Sequence, residues 1–198
     1  MATTTPTQLT TRPLGPDTWE AFADLAERHN GVWGGCWCTW FHTVYSEKSH
    51  TAEGNRALKE KLVAEGRAHA ALVFDGDRAV GWCQFGEPDE LPNIKHRKEY
   101  ESAAPPQADY RLTCFFVDRS YRRHGVAEAA LRGALELIAQ AGGGVVESFP
   151  QDTDGAKITA SFLYNATRSL FEKVGFTYVR PLGKNHSVMT MTVPAATS

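Results

Sequence analysis

A short basic stretch near the middle of the chain joins an apolar segment to an Ala- and Leu-rich one. It contains four basic residues and then a glycine: Arg119, Arg122, Arg123, His124 and Gly125. The flanking patterns predict a strand at 110–117 and a helix at 126–141. The first N–H groups of a helix have no intrahelical partner, and they carry partial positive charge. With the basic side chains, and with a glycine that lets the backbone approach closely, they predict a pyrophosphate-binding turn.

This turn is not one of the two common nucleotide motifs. It lacks the Gly-Lys-Ser/Thr of the Walker A loop and the three-glycine pattern of the dinucleotide fingerprint. The alternative interpretation is an exposed basic turn that merely precedes a helix. Spacing alone leaves both interpretations open.

Two motifs, in order, resemble the signatures of the GNAT acyltransferase superfamily. Residues 122–127, Arg-x-x-Gly-x-Ala after a Phe-Phe-Val strand end, resemble its (Gln/Arg)-x-x-Gly-x-(Gly/Ala) acyl-CoA motif. Residues 170–176, Leu-Phe-Glu-Lys-Val-Gly-Phe, are similar to the aromatic-Glu-Lys-x-Gly-Phe ending of its last helix. Cys-Trp-Cys at 36–38 and Gly-Trp-Cys at 81–83 are similar to an actinobacterial-type branch of the family. The resemblance covers most of residues 30–193.

The resemblance, strongest over 111–176, implies a mixed α/β fold with helices on both faces of a central mixed sheet. The sheet would splay apart at a bulge near Phe116 and Val117. The resemblance also implies acetyl-CoA as co-substrate, with the pantetheine arm on the backbone of Val117 and the pyrophosphate on the amides from Arg123 to Ala127. The implied coenzyme-binding residues are Phe116, Val117, Arg122, Arg123, His124, Gly125, Val126, Ala127, Asn165 and Phe171. The implied reaction is direct acetyl transfer to an amine, without a covalent enzyme intermediate.

Acylation of an amine by a thioester needs a base for the amine and a donor for the developing oxyanion. A backbone N–H at the bulge, that of Val117, is the predicted oxyanion donor. Glu147 is the candidate base if strand alternation over 145–149 turns its side chain into the cleft. The alternative is a solvated or salt-bridged glutamate, and Asp109 and His42 are further candidates for the base.

The acid that would protonate the leaving thiolate departs from the family pattern. Many members carry a tyrosine directly before the Glu-Lys-x-Gly-Phe ending, whereas this chain has Phe171, which cannot donate a proton. Either Tyr164 or Cys114 supplies the proton, or the thiolate leaves unassisted. The substitution also keeps open a second function, a non-catalytic acyl-CoA-binding or regulatory module.

A glycine-flanked aromatic loop at 32–41 carries three tryptophans and two cysteines. This loop and a neighbouring hairpin are the predicted walls of an acceptor pocket, with Trp33, Cys36, Trp37, Trp40, Trp82 and Gln84 as substrate-binding residues. The alternative is that the tryptophans are core residues. A pocket of this kind predicts a small, partly apolar or aromatic amine as acceptor, with a protein amino group as the alternative.

The Cys36-x-Cys38 pair, together with His29 or His42, invites a zinc interpretation. Structural zinc sites usually show a two-residue spacing and a second matched pair of ligands, and neither pattern is present. We therefore predict that the protein uses no metal.

Hydrophobic periodicity and turn residues divide the chain into alternating strands and helices. Strands are predicted at 9–13, 68–74, 78–85, 110–117, 145–149, 176–180 and 187–193. The first helix is predicted to start at 16–18. Further helices are predicted at 51–65, near 95–100, at 126–141 and at 161–173. The clearest hairpin signal is Asp75-Gly76-Asp77 between two apolar runs. This alternation predicts a mixed α/β sheet.

Length and composition limit the class of protein. A chain of 198 residues with 42% hydrophobic residues suits one domain, predicted over 9–198 behind a flexible tail at 1–8. Lys and Arg number 21 against 23 Asp and Glu, which argues against a whole-domain footprint for nucleic acid or an anionic membrane. No apolar run approaches the ~20 residues that cross a bilayer, and the first residues show no secretory pattern. We therefore predict a cytoplasmic protein with its four cysteines reduced, compatible with a homodimer.

Overall fold

The computed structural model describes residues 9–43, 49–153 and 163–197, and these build one seven-stranded mixed sheet. The strands are β1 (Thr10–Pro13), β2 (His69–Asp75), β3 (Arg78–Gly86), β4 (Tyr110–Val117), β5 (Gly144–Ser148), β6 (Thr177–Leu182) and β7 (His186–Val193). Their order across the sheet is β1-β2-β3-β4-β5-β7-β6. β4 and β5 pair in parallel, and the other neighbouring strands pair antiparallel. The mixed α/β class predicted from the sequence is confirmed.

Helices cover both faces of this sheet. They are α1 (Trp19–Glu27), α2 (Ala52–Ala64), α3 (Arg97–Ser102), α4 (Val126–Gln140) and α5 (Arg168–Val174). Ala71 and Val73 of β2 belong to the core cluster of α4 and α5, whereas Leu72 and Phe74 belong to that of α1 and α2. Successive side chains of a strand point to opposite faces, so a strand buried on both faces serves two cores. None of the described helices is long and apolar enough to cross a membrane.

The β2–β3 hairpin forms at the predicted Asp-Gly turn. Asp75 pairs with Arg78 across the turn. Gly76 adopts a φ of 59°, in the left-handed region that glycine enters without steric cost. The hairpin places β3 beside β4, which carries most of the predicted site.

β4 contains a bulge that redirects its side chains. Gln84 of β3 lies opposite two residues of β4, Thr113 and Cys114. The predicted position near Phe116 and Val117 is wrong, because both of those residues keep a regular register with β3. A bulge turns two consecutive residues toward one face. Accordingly, Thr113 hydrogen-bonds Gln84 while Cys114 joins the core cluster of α1 and α2.

β4 and β5 separate next to this bulge. Their parallel pairing joins 110–112 of β4 to 146–148 of β5. Residues 115–117 continue β4 without a β5 partner in the part of the chain that the structure describes. The outward Phe115 amide is bonded to the Tyr164 carbonyl, so the open part of the β4 edge lies at Phe116 and Val117, as expected for a splayed sheet.

The last helix is shorter than its sequence pattern suggests. The prediction spans 161–173, of which 161 and 162 lie outside the described residues, but 163–167 are not helical and α5 begins at Arg168. Ala166 has a φ of 55°, and the Thr167 hydroxyl caps α5 by accepting a hydrogen bond from the Leu170 amide at 3.3 Å. Tyr164 and Asn165 consequently lie in a turn beside β4 and not on the helix.

Long-range contacts to three other segments hold the aromatic loop in place, and Asn93 contributes one of them by donating to the Trp40 carbonyl at 2.8 Å. Cys38 forms a disulfide with Cys114 at the bulge of β4, and Asn55 of α2 donates a hydrogen bond to the Gly35 carbonyl at 2.8 Å. Cys36 and Cys83 are free thiols. The expectation that all four cysteines are reduced is therefore wrong for two of them.

Candidate active site

Two neighbouring cavities are relevant to function. One of about 420 Å³ lies at the open edge of β4, and we call it the larger cavity because the other, described below, is smaller. β4, the basic turn and the first turn of α4 form one side, and the segment around the start of α5 forms the other. Five of the residues predicted for coenzyme binding line it: Phe116, Val117, Arg122, Arg123 and Ala127. The structure thus brings the strand and the basic turn together around one space.

The basic turn is shaped by its own backbone. Asp118 caps a 3₁₀ turn at Arg119–Tyr121, since its carboxylate accepts a hydrogen bond from the Ser120 amide at 3.0 Å. Arg123 and Gly125 have φ values of 66° and 78°. Gly125 is the N-cap of α4 and provides no side-chain hydrogen bond. The first amides of α4 therefore have no side-chain cap, which suits an anionic ligand.

Two further predicted residues of this turn contribute less than expected. His124 is exposed and does not line the cavity. The side chain of Val126 is buried in the core cluster of α4, so only its amide remains for a ligand.

Asn165 and Phe171 do not line the larger cavity, and the prediction that they contact the coenzyme is corrected. The Asn165 amide donates to the Phe149 carbonyl at 3.1 Å. Phe171 is fully buried, with its ring centroid 5.8 Å from that of Phe115 and 4.9 Å from that of Phe176. Leu170 lines the cavity in its place. Phe171 packs into the core because it lies on the buried side of α5.

The amide of Val117 points to the open edge of β4. The Asp118 amide donates to the Val80 carbonyl of β3 at 2.8 Å. Because successive amides of a strand point in opposite directions, the amide of Val117, one residue earlier, faces away from β3. The same alternation turns the Phe115 amide outward, where it donates to the Tyr164 carbonyl at 2.6 Å. Two roles were predicted for the Val117 amide, as oxyanion donor at the bulge and as a contact of the pantetheine arm. Val117 lies at the end of β4 beside the basic turn and away from the bulge, which suits the contact with the pantetheine arm and not the oxyanion role.

A second cavity of about 260 Å³ lies over the bulge, and we call it the smaller cavity. Aromatic side chains and the disulfide dominate its walls, which include Trp33, Trp40, Phe41, Cys36 and Tyr164. Trp33 also lines the larger cavity, so we call the place around Trp33 the junction of the two cavities. The prediction of an aromatic pocket beside the coenzyme site thus has a structural counterpart.

The tryptophans divide between cavity and core. Trp33 and Trp40 line the smaller cavity, as does Cys36. Trp37 and Trp82 are buried, and their ring centroids lie 6.3 Å and 4.8 Å from that of Phe22 of α1. Their assignment as acceptor-binding residues is therefore corrected, and the core alternative holds for these two.

Two buried donors at the junction have no hydrogen-bond partner among the described residues. They are the Trp33 indole nitrogen and the Tyr164 hydroxyl, whose rings meet edge to face with centroids 6.4 Å apart. Lys95 Nζ lies 4.5 Å from the centroid of the Tyr164 ring. A buried donor without a partner costs about 1–3 kcal/mol, which a ligand can recover by accepting the bond. Both donor atoms are shielded in the absence of a ligand, so a ligand would accept from them only after the side chains at the junction shift.

Gln84 belongs to a buried polar network behind the bulge, and its assignment to the acceptor pocket is corrected. Lys59 of α2 donates to Gln84 Oε1 at 2.7 Å, and Gln84 Nε2 donates to the Thr113 hydroxyl at 3.1 Å. Lys59 Nζ also lies 3.0 Å from His42 Nε2. Burial lowers the pKa of Lys59 to about 7, and burial and the nearby Lys59 lower that of His42 well below its usual value. The network fixes Gln84 and Thr113 where the bulge begins.

Glu147 is engaged in an ion pair and is corrected as the candidate base. Its carboxylate accepts hydrogen bonds from Arg111 Nε and from the Tyr100 hydroxyl, each at 2.6 Å. Glu147 does face away from Val146, as alternation requires, but it lines neither cavity. Burial and the Glu147 carboxylate raise the pKa of Tyr100 to about 12. Asp109 is also occupied, because it accepts the Val145 amide at 2.7 Å.

Several residues of the site were missed by sequence reasoning. They are Phe41, Lys95, Leu163, Thr167, Leu170 and the buried Lys59. A signal existed for Lys59, which precedes Leu62 and Val63 by three and four positions on the apolar side of α2. The others lie on turns or at the start of α5, where side-chain direction depends on the tertiary fold.

The fold and the two cavities define a class of enzyme, the acyl-CoA-dependent N-acetyltransferases. A family model for the acetyltransferase (GNAT) family matches residues 37–176. The match covers more than half of the chain, and the chain belongs to this family. Members use acetyl-CoA as co-substrate for N-acetyl transfer. No match is found among curated proteins.

Solved structures of low sequence identity share the fold. An N-acetyltransferase from Staphylococcus aureus is 13% identical, with a TM-score of 0.52 over 94% of this chain and 99% of that one. Mosquito arylalkylamine N-acetyltransferase like 5b is 15% identical, with a TM-score of 0.54 over 93% of this chain and 100% of that one. The ribosomal-protein-S18-alanine N-acetyltransferase from Escherichia coli is 12% identical, with a TM-score of 0.50 over 96% and 97% of the two chains. At these identities the likeness concerns the fold alone.

Proposed function

We propose that this protein transfers an acetyl group directly from acetyl-CoA to the amine of a small, partly apolar or aromatic acceptor. The observation that carries the proposal is the junction, where two cavities of different character meet at unpartnered buried donors. One cavity has the basic turn at its rim and the other has aromatic walls. A reaction between a nucleotide thioester and an apolar amine needs such a pair of spaces.

The larger cavity is the proposed site of acetyl-CoA. The pyrophosphate lies against Arg122, Arg123 and the first amides of α4, where basic side chains and the helix N-terminus act together. The pantetheine arm follows 115–117 toward the bulge, and the outward amide of Val117 donates to it. This orientation places the thioester at the junction. No metal is needed, and the residues present fit the coenzyme.

Tyr164 is the proposed acid and Trp33 the proposed donor to the thioester carbonyl. Both have a buried donor atom without a partner among the described residues, and both lie at the junction. The Tyr164 hydroxyl donates its proton toward the sulfur as the thiolate leaves. The Trp33 indole N–H stabilises the negative charge that develops on the carbonyl oxygen.

The acceptor amine loses its proton without a carboxylate from the cavity walls. Neither cavity is lined by a described Asp or Glu. We expect the rate at subsaturating acceptor to rise with pH up to the pKa of the free amine, and to shift when an amine of different pKa is used. A profile identical for amines of different pKa would assign the proton to a protein group instead.

The walls of the smaller cavity define the acceptor further. Trp33, Trp40 and Phe41 provide apolar contacts, while Lys95 adds a positive charge. That charge disfavours a polyamine and favours an acceptor whose remainder is neutral or anionic. The volume of about 260 Å³ suits a small molecule better than a polypeptide terminus.

The decisive experiment measures release of free coenzyme A thiol from acetyl-CoA in the presence of an amine library. The library contains arylalkylamines, aromatic amino acids, polyamines and peptides with a free N-terminus. We expect turnover with small aromatic amines. Binding of acetyl-CoA without thiol release for any amine would favour the non-catalytic module, and turnover of peptides alone would favour a protein acceptor.

Coenzyme binding is tested separately by titration calorimetry with Arg122→Glu. Loss of a charge-assisted hydrogen bond costs about 1.5–3 kcal/mol, so acetyl-CoA affinity should fall about 10- to 150-fold. The matched control is Arg119→Glu, because Arg119 lies in the same turn but does not line the cavity. An equal loss in both variants would indicate a general charge effect and not a contact.

A further inference from the structure

The disulfide lies at the position where the coenzyme thiol would be released. Cys38 and Cys114 both line the smaller cavity, as does the free thiol Cys36. Cys114 directly precedes Phe115, which lines the larger cavity. The Cys38–Cys114 bond therefore stands beside the junction and not in a remote part of the fold.

The direction of the coenzyme arm follows from the proposed function, on which this inference rests. The basic turn is at the Val117 end of β4, and Cys114 is three residues back along the strand. Three residues of extended strand span about 10 Å. An arm that starts at the pyrophosphate, follows this edge and displaces the Tyr164 carbonyl from the Phe115 amide ends with its sulfur near Cys114. Every turnover would leave a free thiol there.

We propose that the Cys38–Cys114 disulfide is a thiol-exchange site for coenzyme A. The coenzyme thiolate attacks Cys114 Sγ, and a bond forms between these two sulfurs. The bond between Cys114 and Cys38 breaks, and its electron pair leaves with Cys38 as a thiolate, which then takes up a proton. One thiol is consumed and one is produced, so the step needs no external oxidant or reductant.

The exchange has two consequences for the site. The coenzyme remains covalently attached in the larger cavity, where it excludes acetyl-CoA. The aromatic loop loses its covalent link to β4, so the wall of the smaller cavity is held only by noncovalent contacts such as those of Asn93 and Asn55. The Cys38 thiolate can reverse the step, and its high effective concentration favours the closed disulfide. The adduct therefore accumulates only when coenzyme A is abundant or when Cys38 is removed.

Removal of Cys38 gives a direct test, with the symmetrical disulfide of coenzyme A as probe. In Cys38→Ser the Cys114 thiolate attacks the probe, and one coenzyme thiolate leaves. We expect one coenzyme adduct per chain by intact mass, mapped to the peptide that contains Cys114. Because the site concentrates the probe, the rate should exceed that with glutathione disulfide by about tenfold or more. Saturating acetyl-CoA should suppress it.

Two controls identify the sulfur and the site. Cys38→Ser combined with Cys114→Ser should form no adduct, whereas Cys38→Ser combined with Arg122→Glu should lose the preference over glutathione disulfide. Cys83 is an internal control, because it is fully buried away from both cavities. An adduct on Cys36 in place of Cys114, or equal rates with the two disulfides, would overturn the proposal.

The native protein provides a second measurement that does not depend on the folding of a variant. Wild-type protein is incubated with reduced coenzyme A, and newly exposed Cys38 is trapped with a maleimide. We expect labelling of Cys38 that equimolar glutathione does not produce. If acetyl-CoA raises the melting temperature but no adduct and no labelling appear, the exchange is wrong while the coenzyme site stands. If acetyl-CoA neither binds nor turns over, the proposed function itself fails.

Discussion

Polar side chains gather in two regions on the face of the sheet opposite α4, and their hydrogen bonding differs. In the first region, which includes the network behind the bulge and the ion pair near β5, Lys59 is bonded to Gln84 and Glu147 is bonded to Arg111. The second region is the junction. At the junction, the Trp33 indole and the Tyr164 hydroxyl lack partners among the described residues. The first region is complete without a ligand, whereas the second leaves donors that a ligand can use.

This difference shows why residue type alone was a poor guide to which polar side chains of this protein are free to contact a ligand. Glu147 is the residue that general-base chemistry would select, yet its two oxygens already accept bonds from Arg111 and Tyr100. Buried charges persist only when they are paired, so a buried carboxylate in a core is more often structural. We expect substitutions in the satisfied region to change stability and substitutions in the unsatisfied region to change the rate.

Glu147→Gln should give the largest effect. Removing one partner of a buried ion pair typically costs about 3–5 kcal/mol, because Arg111 is then left nearly buried without its counter-charge. Denaturant unfolding measures this loss, with the exposed Glu136→Gln as control. A loss below about 1 kcal/mol together with a changed pH–rate profile would return Glu147 to the role of base.

Tyr164→Phe should lower the rate of the reaction without lowering stability, the opposite of the effect expected for Glu147→Gln. Loss of a general acid lowers kcat by about 10²-fold or more, which a thiol-release assay at saturating substrates measures. The free energy of unfolding should not fall, and should rise by up to about 1–3 kcal/mol, since a buried hydroxyl without a partner is removed. Tyr178→Phe on exposed β6 is the matched control. Full activity of Tyr164→Phe would leave the thiolate to depart without assistance.

Lys59 should make stability depend on pH. Its pKa is about 7 in the folded protein and 10.5 as an ordinary lysine, so between these values the unfolded chain binds one more proton. Stability therefore rises with pH over this range, by up to about 1.4 kcal/mol per unit. Unfolding midpoints of wild type and Lys59→Met across pH 7.5–9.5 measure it. The same slope in both proteins would show that another group is responsible.

Phe171→Tyr should have the smallest effect on the rate, and the sign of any change in kcat is informative. The family pattern would make this change a gain of the missing acid, but the structure buries the ring between Phe115 and Phe176. A hydroxyl placed there costs about 1–3 kcal/mol of stability without raising kcat. Thermal unfolding and thiol release together measure both quantities. An increase in kcat would mean that this side chain reaches the coenzyme.

Much of the coenzyme site was predictable because its parts are contiguous. The strand, the basic turn, the single glycine and the helix start follow one another over 110–127, and local backbone preferences position them. The acceptor region was predicted in outline only. Trp33 and Trp37 are four residues apart in one loop, yet one lines a cavity and the other is core.

The amino-acid sequence by itself determined the alternation of helices and strands, the β2–β3 turn and the start of α4 at a glycine that provides no side-chain cap. These features depend on side-chain period and on the φ values that neighbouring residues allow. The tertiary structure alone decided the site of the bulge, the Cys38–Cys114 bond and the partners of Glu147. Each of these joins residues far apart in the chain, and such contacts are selected by packing and by the need to satisfy buried polar groups.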